Sequence, residues 1–171
     1  MRTFIAIDIP EKIKKEIMKI QDSLPEFKGK KTEYENLHLT LKFLGEVDEK
    51  TIEKIKKRLG EIKLRKFQAE ISKIGMFSDR IVWLNIKNCN ELQKEVDEKL
   101  SGLFEKEKRF MGHLTIARTK EIEDRKKFLE KMRKIKIPEM KFVVDNFILK
   151  KSKLGRPGPV YEDIAVYELE I

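Results

Sequence analysis

The chain of 171 residues holds one cysteine, one tryptophan, two histidines, five prolines and eight glycines. The lone Cys89 excludes an internal disulfide and points to a reducing compartment. One Cys and two distant His offer too few donors for a structural zinc site. No apolar run has the length of a membrane span, and Met1 leads into a strand pattern rather than a signal peptide, so a cytoplasmic protein is expected. Glycine-rich phosphate loops, clustered metal-binding carboxylates and a serine-nucleophile motif are all missing, and neither metal nor cofactor is expected. No Pro/Gly/Ser-rich linker divides the sequence. The expectation is a single domain over residues 1–171, built of two lobes covering approximately 1–87 and 88–171, with strand exchange between them allowed.

Charge and apolar side chains are abundant. Forty per cent of residues are hydrophobic and forty per cent charged, which is enough apolar material for one substantial core. Thirty-nine Lys and Arg against thirty Asp and Glu leave a net charge of +9. That excess favours a polyanionic partner such as RNA, because cations on a surface attract phosphates and release counterions. Much of the lysine also alternates with Glu on amphipathic segments, as on any solvated helix face. A monomer is the working expectation.

Both histidines begin the same tripeptide: Leu37-His38-Leu39-Thr40-Leu41 and Gly112-His113-Leu114-Thr115-Ile116. Apolar and polar residues alternate through each, the period of a half-buried strand. Residues i and i+2 of a strand share a face, so His38, Thr40 and Lys42 project one way while Leu37, Leu39, Leu41 and Phe43 project into a core. His113 and Thr115 likewise share a face. Histidine is the side chain that both takes and gives a proton near neutrality. A repeated pair implies two matched halves that each deliver one imidazole and one hydroxyl to a common place.

The surrounding pattern repeats as well. Arg2 to Ile9 reads as a strand stopped by Pro10, which suits the start of a helix carrying Ile13, Ile17, Ile20 and Leu24. Asp48 is a candidate N-cap for a second helix with Ile52, Ile55, Leu59 and Ile62. Two strands follow, roughly 67–74 and 80–86. Asn88 or Asn90 then caps a helix with Leu92, Val96, Leu100 and Leu103. After the second His-Leu-Thr strand come a helix with Phe128, Leu129, Met132 and Ile135 and two strands, roughly 140–150 and 160–171. The loop 151–159 is rich in Gly, Pro and cations. Trp83 and the phenylalanines of these elements read as core.

Two imidazoles across a cleft are equipped for concerted acid–base catalysis, one accepting a proton while the other donates. Two hydroxyls and a nearby cation add donors for a phosphoryl group. Such a set suits in-line attack on phosphorus, and a strained cyclic phosphodiester is the natural substrate, since its leaving oxygen needs only a proton.

On these residues the sequence resembles the 2H phosphoesterase superfamily, and within it the RNA 2′,3′-cyclic phosphodiesterases, also called 2′-5′ RNA ligases. The resemblance rests on Arg2-Thr3-Phe4-Ile5-Ala6-Ile7, on His38-Leu39-Thr40-Leu41-Lys42-Phe43-Leu44-Gly45, on His113-Leu114-Thr115-Ile116-Ala117-Arg118, and on Ser152-x-Leu154 with Gly158-Pro159-Val160-Tyr161-Glu162. It spans essentially the whole chain. It implies an α+β fold, bilobal and pseudo-symmetric, whose antiparallel sheets face a central cleft with helices outside. It implies hydrolysis of RNA 2′,3′-cyclic phosphate ends to 2′-phosphates, and the joining of 2′,3′-cyclic and 5′-hydroxyl tRNA halves. His38 would be the general acid and His113 the general base, with Thr40, Thr115 and Arg118 binding phosphate. Beyond what the resemblance implies, Lys42, Phe43, Ser152, Lys153 and Arg156 are further candidates for RNA contact, the alternative for the loop being an exposed basic hairpin. Gly112 stands where the family often has Pro, and Lys42 where many members have Arg. Strict alternation turns Arg118 away from His113, so its role requires the strand to end or bulge. A 2H enzyme of small cyclic nucleotides and a non-catalytic RNA-binding module remain the alternatives.

Overall fold

A computed structural model of the chain describes residues 1–156 and 158–171. The elements in order are β1 (Arg2–Asp8), α1 (Glu11–Asp22), β2 (Lys28–Lys31), a 3-10 turn (Tyr34–Asn36), β3 (His38–Glu46), α2 (Glu49–Leu59), β4 (Phe67–Phe77) and β5 (Ile81–Lys87). They continue with α3 (Asn90–Lys99), β6 (His113–Glu121), α4 (Arg125–Arg133), β7 (Met140–Val144), β8 (Asn146–Lys153) and β9 (Val160–Glu168).

Local chemistry sets the helix starts. Asp48 caps α2, its Oδ1 accepting from the Thr51 N–H at 2.8 Å, and Asp124 does the same for α4 at Lys127, 3.1 Å. α1 follows Pro10, whose carbonyl accepts from the Ile13 and Lys14 N–H groups. At α3 neither expected asparagine caps. Cys89 holds the N-cap position without a side-chain bond, while Asn88 turns the chain at φ 75° and donates to the Gln68 carbonyl. Each helix buries one apolar stripe, such as Ile13, Ile17 and Ile20 of α1, and leaves its charges in water, except that α3 also buries Asp97. A fully buried Ile or Leu contributes about 1.5–3 kcal/mol through apolar burial, so these stripes hold the helices on the sheets.

The strands form two antiparallel sheets, ordered β3-β1-β8-β9 and β2-β6-β5-β4-β7. Each sheet draws strands from both halves of the chain: β8 and β9 complete the one with His38, and β4 and β5 complete the one with His113. The sheets meet where β3 and β6 approach each other. Three elements depart from the sequence expectation. β2, Lys-Gly-Lys-Lys, is exposed throughout and exists by pairing with the edge of β6. The expected strand 140–150 is divided at Asp145 into β7 and β8, which belong to different sheets. The expected strand 160–171 ends at Glu168. No helix among the described residues is long and apolar enough to cross a membrane.

Candidate active site

β3 and β6 carry the same defect at the same place. Opposite β1, Ile5 faces Lys42 and Ala6 faces Thr40, which leaves Leu41 as an extra residue. Opposite β5, Val82 faces Ala117 and Trp83 faces Thr115, which leaves Ile116 extra. These are β-bulges, and each puts two consecutive residues into the core, Leu41-Lys42 and Ile116-Ala117. Alternation then resumes out of phase. Arg118, opposite Ile81, therefore returns to the face of Thr115 and His113, which meets the condition the sequence set for it. Phe43 likewise returns to the face of His38 and Thr40 and is 73% exposed, although alternation had it in the core.

The imidazoles are held identically. His38 Nδ1 lies 2.8 Å from the Asn36 carbonyl and His113 Nδ1 lies 2.8 Å from the Met111 carbonyl, in each case two residues back along the chain. A carbonyl only accepts, so Nδ1 carries the proton in both rings and Nε2 is left as the unprotonated nitrogen. Each ring also has an aromatic packed edge-on against it. Tyr161 meets His38 at 5.2 Å and 82°, and Phe77 meets His113 at 5.3 Å and 86°.

The two Nε2 atoms differ in their surroundings. His38 Nε2 is 2.9 Å from Thr40 Oγ1, whereas His113 Nε2 has no hydrogen-bond partner among the described residues. Burial between Phe4 and Tyr161 pushes the His38 pKa down to about 4. The Asn36 carbonyl and Asp8 pull it upward, while Lys150 and Lys14 add to the depression. Tyr161 is raised by burial and pulled back by the charge of Arg118. The charge of Arg118 from one sheet is thus felt by the aromatic packed against the histidine of the other.

Lys42 is corrected. The bulge turns it into the core, 3% exposed, with Nζ 2.7 Å from Asp97 Oδ1 and 2.5 Å from the Glu105 carbonyl, so it cannot touch RNA. Ser152 lies opposite Tyr161 and so shares the cleft face. Lys153 is exposed and paired with Glu162 at 2.8 Å. Arg156 is exposed in the loop after β8, and Pro157 lies outside the described residues. Trp83 is not core: it stands half-buried on the cleft face opposite Thr115, flat over Gly75, where a Cβ would come within 2.3 Å of the indole. A Cβ at Gly112 would meet the Ile86 carbonyl oxygen at 2.3 Å, so the Pro frequent in the family has no room here.

Sequence reasoning missed several neighbours. Lys150, buried on the cleft face, bridges Asp8 at 3.1 Å and Asp163 at 2.7 Å close to His38. Phe77 closes on His113 from the end of β4. Buried Trp83 Nε1 has no hydrogen-bond partner among the described residues. Cys89 is no nucleophile, because burial pushes its thiol up to about 12.

Each bulged strand is braced from the opposite half of the chain. Gln21 of α1 donates from Nε2 to the carbonyls of Ile116 in β6 and Thr32, at 2.9 and 3.0 Å. Asp97 of α3 takes Lys42 of β3 on Oδ1 and the Glu107 N–H on Oδ2, at 2.7 and 3.0 Å. Thr32 and Glu107 each precede their histidine by six residues. The duplication read from two tripeptides therefore extends to the braces.

Known proteins agree with this architecture. The profile of the LigT-like phosphoesterase family matches residues 7–83 and again 85–161. An RNA 2′,3′-cyclic phosphodiesterase of Methanocaldococcus jannaschii is 44% identical, covering 96% of this chain and 98% of that protein. Another from Archaeoglobus fulgidus is 37% identical over 98% of this chain and 100% of its own length. The crystal structure of apo LigT of Escherichia coli has the same fold, with a TM-score of 0.82 and 24% identity over 99% of this chain and 98% of that one. With two copies of its profile side by side in one sequence and full-length relatives at this identity, the chain belongs to the LigT-like phosphoesterase family.

Proposed function

We propose that this phosphoesterase opens terminal RNA 2′,3′-cyclic phosphates to 2′-phosphates by metal-independent acid–base catalysis. The observation that carries the reading is the matched tethering of His38 and His113 through Nδ1, which leaves two Nε2 atoms for opposite proton transfers. His113 Nε2, free of a partner, takes the proton of the attacking water. His38 Nε2 gives a proton to the departing ribose 3′ oxygen. Thr40 and Thr115 donate hydroxyl hydrogen bonds to the phosphoryl oxygens, and Arg118 supplies a fixed positive charge on the same face. Phe43, with Phe4 at 6.1 Å, offers an exposed aromatic surface to the terminal base. A 5′-hydroxyl in the place of water gives the 2′-5′ joining reaction with the same two transfers.

His38 is neutral when the site is empty, since burial holds its pKa near 4. Its acid role requires that the proton arrive with the substrate: a phosphodiester beside Nε2 contributes a negative charge that offsets the desolvation of the imidazolium. Substrate binding and His38 protonation are coupled in this scheme.

The test is incubation with an oligoribonucleotide ending in a 2′,3′-cyclic phosphate, with and without chelator. A 2′-phosphate product at an undiminished rate in chelator is expected. Loss of activity in chelator would overturn metal independence, and a 3′-phosphate product would overturn the assignment of the leaving oxygen.

A further inference from the structure

The two histidines are approached by segments that differ in one respect. Ahead of His38, β2 is zipped onto β6, and its lysines are neutralised: Lys28 by Glu121, Lys30 by Glu33 and Lys31 by Asp22. Ahead of His113, residues 105–112 belong to no helix or strand. Lys106, Lys108 and Arg109 are all exposed there, and none has an ionic partner among the described residues.

This irregular loop is nonetheless fixed. Lys42 holds its Glu105 carbonyl and Asp97 its Glu107 N–H, and both side chains are buried, at 3% and 5% exposure. Gln93 donates to Asp97 at 3.0 Å, so both carboxylate oxygens are engaged. Removing two charges from water is costly and is offset only by good geometry. Here the buried pair holds main chain from the strand of one histidine against the approach to the other. The matching brace in the other half manages with a neutral Gln21. The Glu107 carboxylate turns toward Lys42, at 3.9 Å, which leaves the cations outward.

We propose that residues 105–109 form a rim over which the RNA strand leaves the cleft, with Lys106, Lys108 and Arg109 binding phosphates upstream of the reacting end. The identity of the polyanion rests on the phosphodiesterase reading. The rim begins four residues before His113, within about 13 Å of extended chain. A mononucleotide brings a single phosphate, at the reacting end, whereas a strand brings further phosphates that the rim can bind. The buried ion pair is a positioning device that keeps the cations from collapsing onto neighbouring carboxylates.

The experiment measures binding, so it stands apart from turnover. A labelled single-stranded oligoribonucleotide ending in a 2′-phosphate is titrated by anisotropy across a range of salt, beside a nucleoside 2′-phosphate. For the Lys108→Glu/Arg109→Glu variant, oligonucleotide affinity falls at least about tenfold. The salt slope shrinks by about 1.4, two contacts at about 0.7 each for a single strand. Mononucleotide affinity is unchanged. The Lys42→Met/Asp97→Leu variant, which leaves net charge and every loop cation in place, loses oligonucleotide affinity too while its circular dichroism stays native. Unchanged affinity and slope in the charge-reversed variant, or an equal loss for the mononucleotide, would overturn the rim. Full oligonucleotide affinity in the Met/Leu variant would overturn the anchoring role of the pair. The expected binding pattern without any turnover would count against the proposed reaction and leave the rim standing.

Discussion

Acid should destabilise this protein in part through one imidazole. An unfolded chain binds a proton on His38 near pH 6.5, whereas the folded protein, with the ring desolvated between Phe4 and Tyr161, binds it only near pH 4. Because the folded pKa is the lower one, the unfolded state gains protons first as pH falls. Stability from this site is complete above pH 6.5, declines between pH 6.5 and 4, and is constant below. At about 1.4 kcal/mol per pH unit, the gap amounts to about 3 kcal/mol, a large part of a typical domain's total. The assay is urea unfolding of the wild type and of His38→Gln at several pH values from 7 to 4. Gln offers its amide to the Asn36 carbonyl but does not titrate, and the carboxylates that titrate in the same window cancel between the two proteins. The wild type should lose about 3 kcal/mol more than the variant over this span. Parallel losses would show that folding does not desolvate His38, and the coupling of its protonation to substrate binding would fall with it.

Other outcomes follow from the site. His38→Ala and His113→Ala should each lower kcat by about 10²–10⁴, with Thr40→Ala and Thr115→Ala milder; near-normal turnover in a folded His→Ala variant would end the two-histidine mechanism. With sulfur in place of the ribose 3′ oxygen, a leaving group that scarcely needs a proton, His38→Ala should recover its rate and His113→Ala should not, and the reverse pattern would exchange their roles. Gly75→Ala puts a methyl within 2.3 Å of the Trp83 ring, and overpacking of this kind costs about 1–3 kcal/mol; an unshifted urea midpoint would mean that the indole does not lie over Gly75.

The candidate site residues were legible as a matched pair because a strand shows its two faces as a period of two and because two His-x-Thr copies are rare in one chain. The helix stripes and the Asp48 and Asp124 caps are local features too, although only the first cap stood out. The bulges were hidden for a physical reason. A bulge is visible in a sequence only as two adjacent buried residues, and in β3 one of them is Lys42, which reads as solvent-facing until its partner Asp97, fifty-five residues away, is known. From that one slip came both misplacements: Lys42 as an RNA contact and Phe43 as core. β2 was invisible because it has no apolar face, and its existence depends on an edge supplied by β6. The break at Asp145 lies inside a continuous strand-like run, and only the assignment of β7 and β8 to different sheets reveals it.

The exchange of strands between the sheets bears on synthesis. Ribosomes deliver His38 early, but the sheet that carries it lacks two of its four strands until residues 146–168 have emerged. Nor is Tyr161, which clamps that ring, available sooner. An interrupted translation product that ends after β6 therefore contains both histidines and no working site. The order of strands along the chain delays completion of the site until nearly the whole polypeptide is made, so a chain abandoned midway carries both histidines without the phosphoesterase fold that holds them.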